Sequence, residues 1–119
     1  MSTPPGNLPA SPTIPLPDDL RAAYENLYSL LEAQYQATAD ATVLEAIGPA
    51  RDNVSNILTK DTMYKFSQDT NIFAALQTQI ASTNQGLSTL ETQIQSTTSH
   101  FSMAGDILSA ITKVLTFFS

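Results

Sequence analysis

The chain contains no cysteine, no tryptophan and a single histidine in 119 residues. The missing cysteines exclude a disulfide framework, a thiolate metal site and a cysteine nucleophile. One histidine cannot build a histidine metal cluster, and His100 has Thr97 where a bundle di-metal site needs a glutamate. Charge is scarce too: 13% of residues carry one, about half the usual share of a soluble domain. Eleven acids against five bases give a net charge of −6, the wrong sign for tracking a phosphate backbone, so no nucleic-acid partner is expected. No unbroken apolar run approaches the roughly 18–20 residues of a membrane-spanning helix. The longest is Ile72 to Leu76.

What is present begins with proline. Six of the seven prolines fall within residues 1–17, a stretch without a single charge. Proline removes backbone donors and turns each preceding residue away from helix. Residues 1–17 are therefore expected to be a disordered, Pro-rich tail that packs on nothing. The N-terminus has neither the basic region nor the apolar stretch of a cleavable signal peptide. The expected location is the cytoplasm, or outside the cell by a dedicated export route.

Helical patterning starts directly after the tail. Pro17, Asp18 and Asp19 form a helix start, with two carboxylates at the positive end of the macrodipole. Leu20, Tyr24, Leu27, Leu31 and Tyr35 recur at four- and three-residue spacing and predict a helix over about 18–38. Its tyrosines are expected at the core edge. Val43, Ile47, Ala50, Val54 and Ile57 predict a second helix over about 41–59, capped by Asp40 or Thr42 and kinked at Gly48-Pro49, or two short helices sharing one face.

A seven-residue step then runs through Phe66, Phe73, Ile80, Leu87, Ile94, Phe101, Leu108 and Leu115. The partner series is Asp69, Leu76, Thr83, Leu90, Thr97, Ala104, Ile111 and Phe118. Eight apolar positions in one phase predict a long heptad helix over about 62–118, a rod of about 85 Å. Asn84-Gln85-Gly86 offers the turn chemistry for a break, and broken there the chain would make a compact antiparallel bundle of four helices instead. The fold class expected is all-α, a helical bundle or coiled-coil module over residues 18–119.

The outer positions of this helix hold serine, threonine, glutamine and asparagine, so salt bridges cannot set its pairing. In composition such heptads resemble the helices of appendage, tail-fibre and fusion-type assemblies. The resemblance lies in composition alone and assigns no residue a role.

Beyond residue 101 the apolar face widens past what a two-residue seam needs. Phe101, Ile107, Leu108, Ile111, Val114, Leu115 and Phe118 are accordingly the expected self-association surface. The expected partner is a second copy of the chain or another helical protein. A membrane-active protein using the C-terminal helix is the alternative, disfavoured because Lys113 is opposed by Asp106.

Catalytic signatures are missing. Glu25 with Glu32, and Glu45 with Asp52, share helix faces without a pocket pattern around them. Asp69 and Asn71 begin like a calcium loop, but Ala74 and Ile80 stand where glycine and glutamate are required. A non-enzymatic structural or interaction subunit without a cofactor is the expectation.

Overall fold

The computed structural model describes residues 14–118. Those residues form four α-helices, α1 (Asp18–Ala37), α2 (Ala41–Ser67), α3 (Thr70–Ser96) and α4 (Ala104–Thr116), with one 3₁₀ turn at Thr98–His100. Short connections force antiparallel neighbours. Each helix packs against the next, and α4 returns to α1, closing a four-helix ring. The all-α bundle expected from the sequence is the fold found.

The single long helix over 62–118 is not found, and neither is a break at Gly86. The chain measures 43 × 31 × 20 Å, half the length of the expected rod. The first break comes at Gln68, whose backbone is left-handed (φ 56°) and whose N–H closes on Tyr64 O. Asp69 then caps α3, accepting the Asn71 N–H at 2.7 Å. The second break follows Ser96. Hydroxyls of Ser96, Thr97 and Thr98 each bond the carbonyl four residues back, at 2.8, 2.7 and 2.9 Å. Such bonds compete with the helical ladder and help to end it. Gly86 lies inside α3, where an added Cβ would meet nothing within 4 Å. No turn requires that glycine.

The two earlier helices start where predicted. Asp40 caps α2 by accepting the Thr42 N–H at 2.8 Å. Pro49 is accommodated within one helix that extends to Ser67, eight residues past the expected end.

The core is a seam along each helix. In α3 the buried set is Leu76, Ile80, Thr83, Leu87, Leu90 and Ile94, the heptad rhythm of the sequence. It shares one buried cluster with Leu20, Tyr24, Leu27 and Leu31 of α1, and with Val43, Ile47, Val54 and Ile57 of α2. Tyr24 lies in the core rather than at its edge, its hydroxyl donating to Asn84 Oδ1 at 2.8 Å. Burial raises the pKa of that phenol well above its usual value, outweighing the Asn84 hydrogen bond.

The tail expectation fails at its C-terminal end. Leu16 is only 3% exposed and belongs to the core, with Ile14 packed against it. An apolar side chain just before a helix start staples the entry to the core. The rest of the expected disorder, residues 1–13, lies outside the described residues.

Candidate functional site

The seven residues expected to form the association surface divide between core and rim. Phe101, Ile107, Ile111 and Val114 are buried within this chain, and Leu108, Leu115 and Phe118 are half-buried. In this arrangement the first four offer no surface to another copy. The reason is the position of α4, which packs on both α1 and α3 and so needs an apolar face wider than a seam. Gln34 of α1, itself buried, fixes the approach. Its Oε1 accepts the Met103 N–H at 2.8 Å and its Nε2 donates to Ser102 at 3.2 Å. The apolar face read as an interface is mostly core.

Of the exposed large apolar residues, Phe117 stands at the end of α4 and the other two lie elsewhere. Phe66 is 87% exposed and Met63 48%, on the last turns of α2. They stand beside the turn to α3, where Tyr64 meets Phe73 edge-on with ring centres 5.6 Å apart. α2 and α3 each have 27 residues, against 20 in α1 and 13 in α4, so the α2–α3 turn stands at the end of the two longest helices. The tip is also electrically neutral. Residues 60–73 hold Lys60 and Lys65 against Asp61 and Asp69, while the rest of the chain has nine acids against three bases. The whole net charge lies away from the tip.

A second feature lies where α4 ends on α3. Thr112 donates to Glu91 at 3.1 Å, which sets the antiparallel register. From there the end of α4 at Thr116 reaches only to about the level of residue 87, by equal rise along both helices. A groove of about 250 Å³ opens at this point, lined by Ile80, Ala81, Asn84, Gln85, Ser88, Leu115 and Phe118. None of these seven side chains is charged. Phe117, 43% exposed, is the neighbour of Phe118.

Several ionisable groups pair with one another, some of them between helices. Asp61 is fully buried: Oδ1 accepts the Leu16 N–H at 2.8 Å, and Oδ2 meets Arg21 at 2.6 Å and Lys65 at 3.2 Å. Glu25 pairs with Arg21, and Glu32 and Asp52 pair with Arg51, whose guanidinium lies 4.1 Å from the Tyr35 ring centre. His100, too solitary for a histidine metal cluster, has Nδ1 2.7 Å from Asp40 Oδ2. That hydrogen bond chiefly holds the Asp40 carboxyl below its usual range, against an opposing desolvation effect and with further help from the Thr42 N–H. No group of three or more metal-ligating side chains occurs among the described residues.

Sequence reasoning missed both the tip and the groove. Phe66 occupied a position in the seven-step, and only Asp69, the one charged residue in the partner series, signalled that the series stops there. The groove had no signal at all, since it depends on where α4 comes to rest. Comparison with protein-family models, with curated proteins and with solved structures finds no match.

Proposed function

We propose that this chain is a non-enzymatic interaction module, a helical subunit that works by presenting an apolar contact at the end of its α2–α3 hairpin. One observation supports this most: Phe66 is almost wholly exposed beside Met63, on a stretch without net charge. Phe66 contributes nothing to the core, and aromatic and methionine side chains are favoured anchors in protein contacts. The partner expected is a protein surface, either another copy or another helical chain.

A photoreactive benzophenone residue at position 66 tests the reading in the native host. Protein adducts are the expected result. Their absence, with control positions on the polar faces giving an equal background, overturns it. Lipid adducts would transfer the proposal to the membrane-active alternative. That alternative has less support: no helix among the described residues is long and apolar enough to cross a membrane, and the apolar face of α4 is spent on the core.

A further inference from the structure

The two breaks around α3 are built differently. At the first, Gln68 is left-handed and the Asp69 carboxylate caps the helix that follows. The second, residues 97–103, holds neither glycine nor proline and no residue with left-handed backbone. Asp40 and Asp69 cap α2 and α3, but Met103 gives α4 no side-chain cap. What bends the chain here lies outside the connection. Gln34 of α1 holds Ser102 and Met103, and Asp40 stands 2.7 Å from His100. Nothing within residues 97–103 bars a helix, and Ile94, Phe101 and Leu108 keep their seven-residue step through them.

A straightened connection would fuse α3 and α4 into one helix over 70–116, about 70 Å long at 1.5 Å per residue. α4 would leave its own bundle and uncover the faces of α1 and α3 on which it rests. The helix whose side chains fit those faces is α4 itself, so the fitting occupant from outside is the α4 of a second copy. Direction agrees: α4 runs antiparallel to α3 within one chain, and two such long helices about a twofold axis do the same. Register agrees as well. Thr112 lies opposite Glu91, and the same pairing between copies puts the axis between residues 101 and 102, beside the apolar Phe101.

We infer that α4 is exchanged between two copies: the 97–103 connection straightens, and each α4 docks on α1 and α3 of the other. The exchange keeps the burial of Ile107, Ile111 and Val114. It gives up the Gln34 bond to Met103, whose N–H turns into the helical ladder. The inference does not rest on the Phe66 tip and uses none of its residues. The net charge of −6 works against any pairing. The exchanged segment adds nothing to that cost, since over residues 97–118 Asp106 is balanced by Lys113. The dimer is therefore a minor form in dilute solution and rises with protein concentration and ionic strength.

The test uses the full chain at up to millimolar concentration in moderate salt. It is warmed until amide exchange shows α4 open while α2 and α3 stay protected, and then cooled. Sedimentation velocity should show monomer and dimer and nothing larger, because two exchanged helices close the pair. Glu91→Cys and Thr112→Cys, introduced together into this cysteine-free chain, are joined by a short bismaleimide. The link should run between chains in the dimer fraction and within one chain in the monomer fraction.

Two changes move the equilibrium in opposite directions. Gln34→Ala combined with His100→Ala removes what holds the bend and should strengthen dimerisation by about tenfold or more. Ser102→Pro should weaken it by about a hundredfold, because proline breaks a helix interior. Its closed form should persist without the Ser102 hydroxyl, since Phe101 is extended (φ −106°, ψ 125°), as a residue before proline prefers. Phe66→Ser should change nothing. If Ser102→Pro does not fold, the cross-link decides alone.

Three results overturn the inference. One is a chain that stays monomeric after α4 has opened. Another is a dimer whose links run within chains, which means contact without exchange. The third is dimerisation that a folded Ser102→Pro leaves intact, which means a connection that stays bent. A dimer abolished by Phe66→Ser also overturns it but leaves the interaction module standing, as does a monomeric chain that gives protein adducts at position 66.

Discussion

The backbone N–H of Leu16 donates to Oδ1 of Asp61 at 2.8 Å, across forty-five residues of sequence. The same carboxylate holds Arg21 of α1 and Lys65 of α2 through its other oxygen. One fully buried acid thus ties the entry segment, the first turn of α1 and the last turns of α2 into a single corner. A charge in that position is tolerable because both oxygens have donors, two of the three being cations.

Two substitutions probe this corner by chemical denaturation. Leu16→Ala should lower stability by about 2–3 kcal/mol, the low end of the range for a buried leucine because a segment outside the helices can relax. Asp61→Asn should cost about 1.5–3 kcal/mol, the scale of hydrogen bonds to charged groups. A larger loss is not expected, since Arg21 and Lys65 are 25% and 38% exposed and can recover water. If neither change alters the denaturation midpoint, the entry segment is not docked.

The α3 seam makes a sharper contrast. Leu90 is buried at its centre, and Leu90→Ala should cost about 2–5 kcal/mol. Thr92 is exposed two residues on, and Thr92→Ala should stay within about 0.5 kcal/mol of neutral. Equal effects would place the seam on the wrong face.

The position of the helix break can be tested from both sides. Asp69→Ala removes the cap of α3 and should destabilise by about 0.5–2 kcal/mol. Gly86→Ala replaces an interior helical glycine with open space around it and should stabilise by about 0.5–1 kcal/mol. A turn at residue 86 would reverse the second sign, and an uninterrupted helix through residue 69 would cancel the first effect.

Asp40 gives the fold a pH dependence of known sign. Its carboxyl titrates lower in the folded chain than in the unfolded one, chiefly through the hydrogen bond with His100. It therefore contributes stability above the unfolded carboxylate pKa, and that contribution fades as pH falls through the lowered folded value. A melting series from neutral to strongly acidic pH, run on wild type and on His100→Ala, should show a shallower acid-side slope in the variant. Parallel slopes would mean the pair is not formed in solution.

The amino-acid pattern carried the starts of α1 and α2 and the whole seam of α3, because side-chain spacing on one face is a local property. The breaks around α3 were hidden for a physical reason. Phe66 to Phe73 and Ile94 to Phe101 each keep a large apolar residue on the seven-step across a connection. Phase therefore continues where backbone hydrogen bonding does not. Asp69 was the readable exception. The rest of the C-terminal region depends on Gln34, a side chain some seventy residues upstream, and no window of local sequence contains that contact. The same limit applies to the interface: whether Ile107 faces core or partner is decided by what α4 rests against.

The Gln34–Met103 hydrogen bond spans sixty-nine residues. The α1–α2 and α2–α3 hairpins close over connections of three and two residues, so they can form early and separately. Docking α4 back onto α1 closes a loop longer than either hairpin's, and its entropic cost is recovered only when thirteen residues of helix settle together. The ring is thus expected to be kinetically asymmetric, with α4 arriving last and coming away first. Amide exchange in α4 should run ahead of that in α3 well below global unfolding, and Gln34→Ala should widen the gap. Leu115 and Phe118 would leave with it, so the α3–α4 groove exists only while α4 is docked, and occupation of the groove would slow the exchange of α4 from outside.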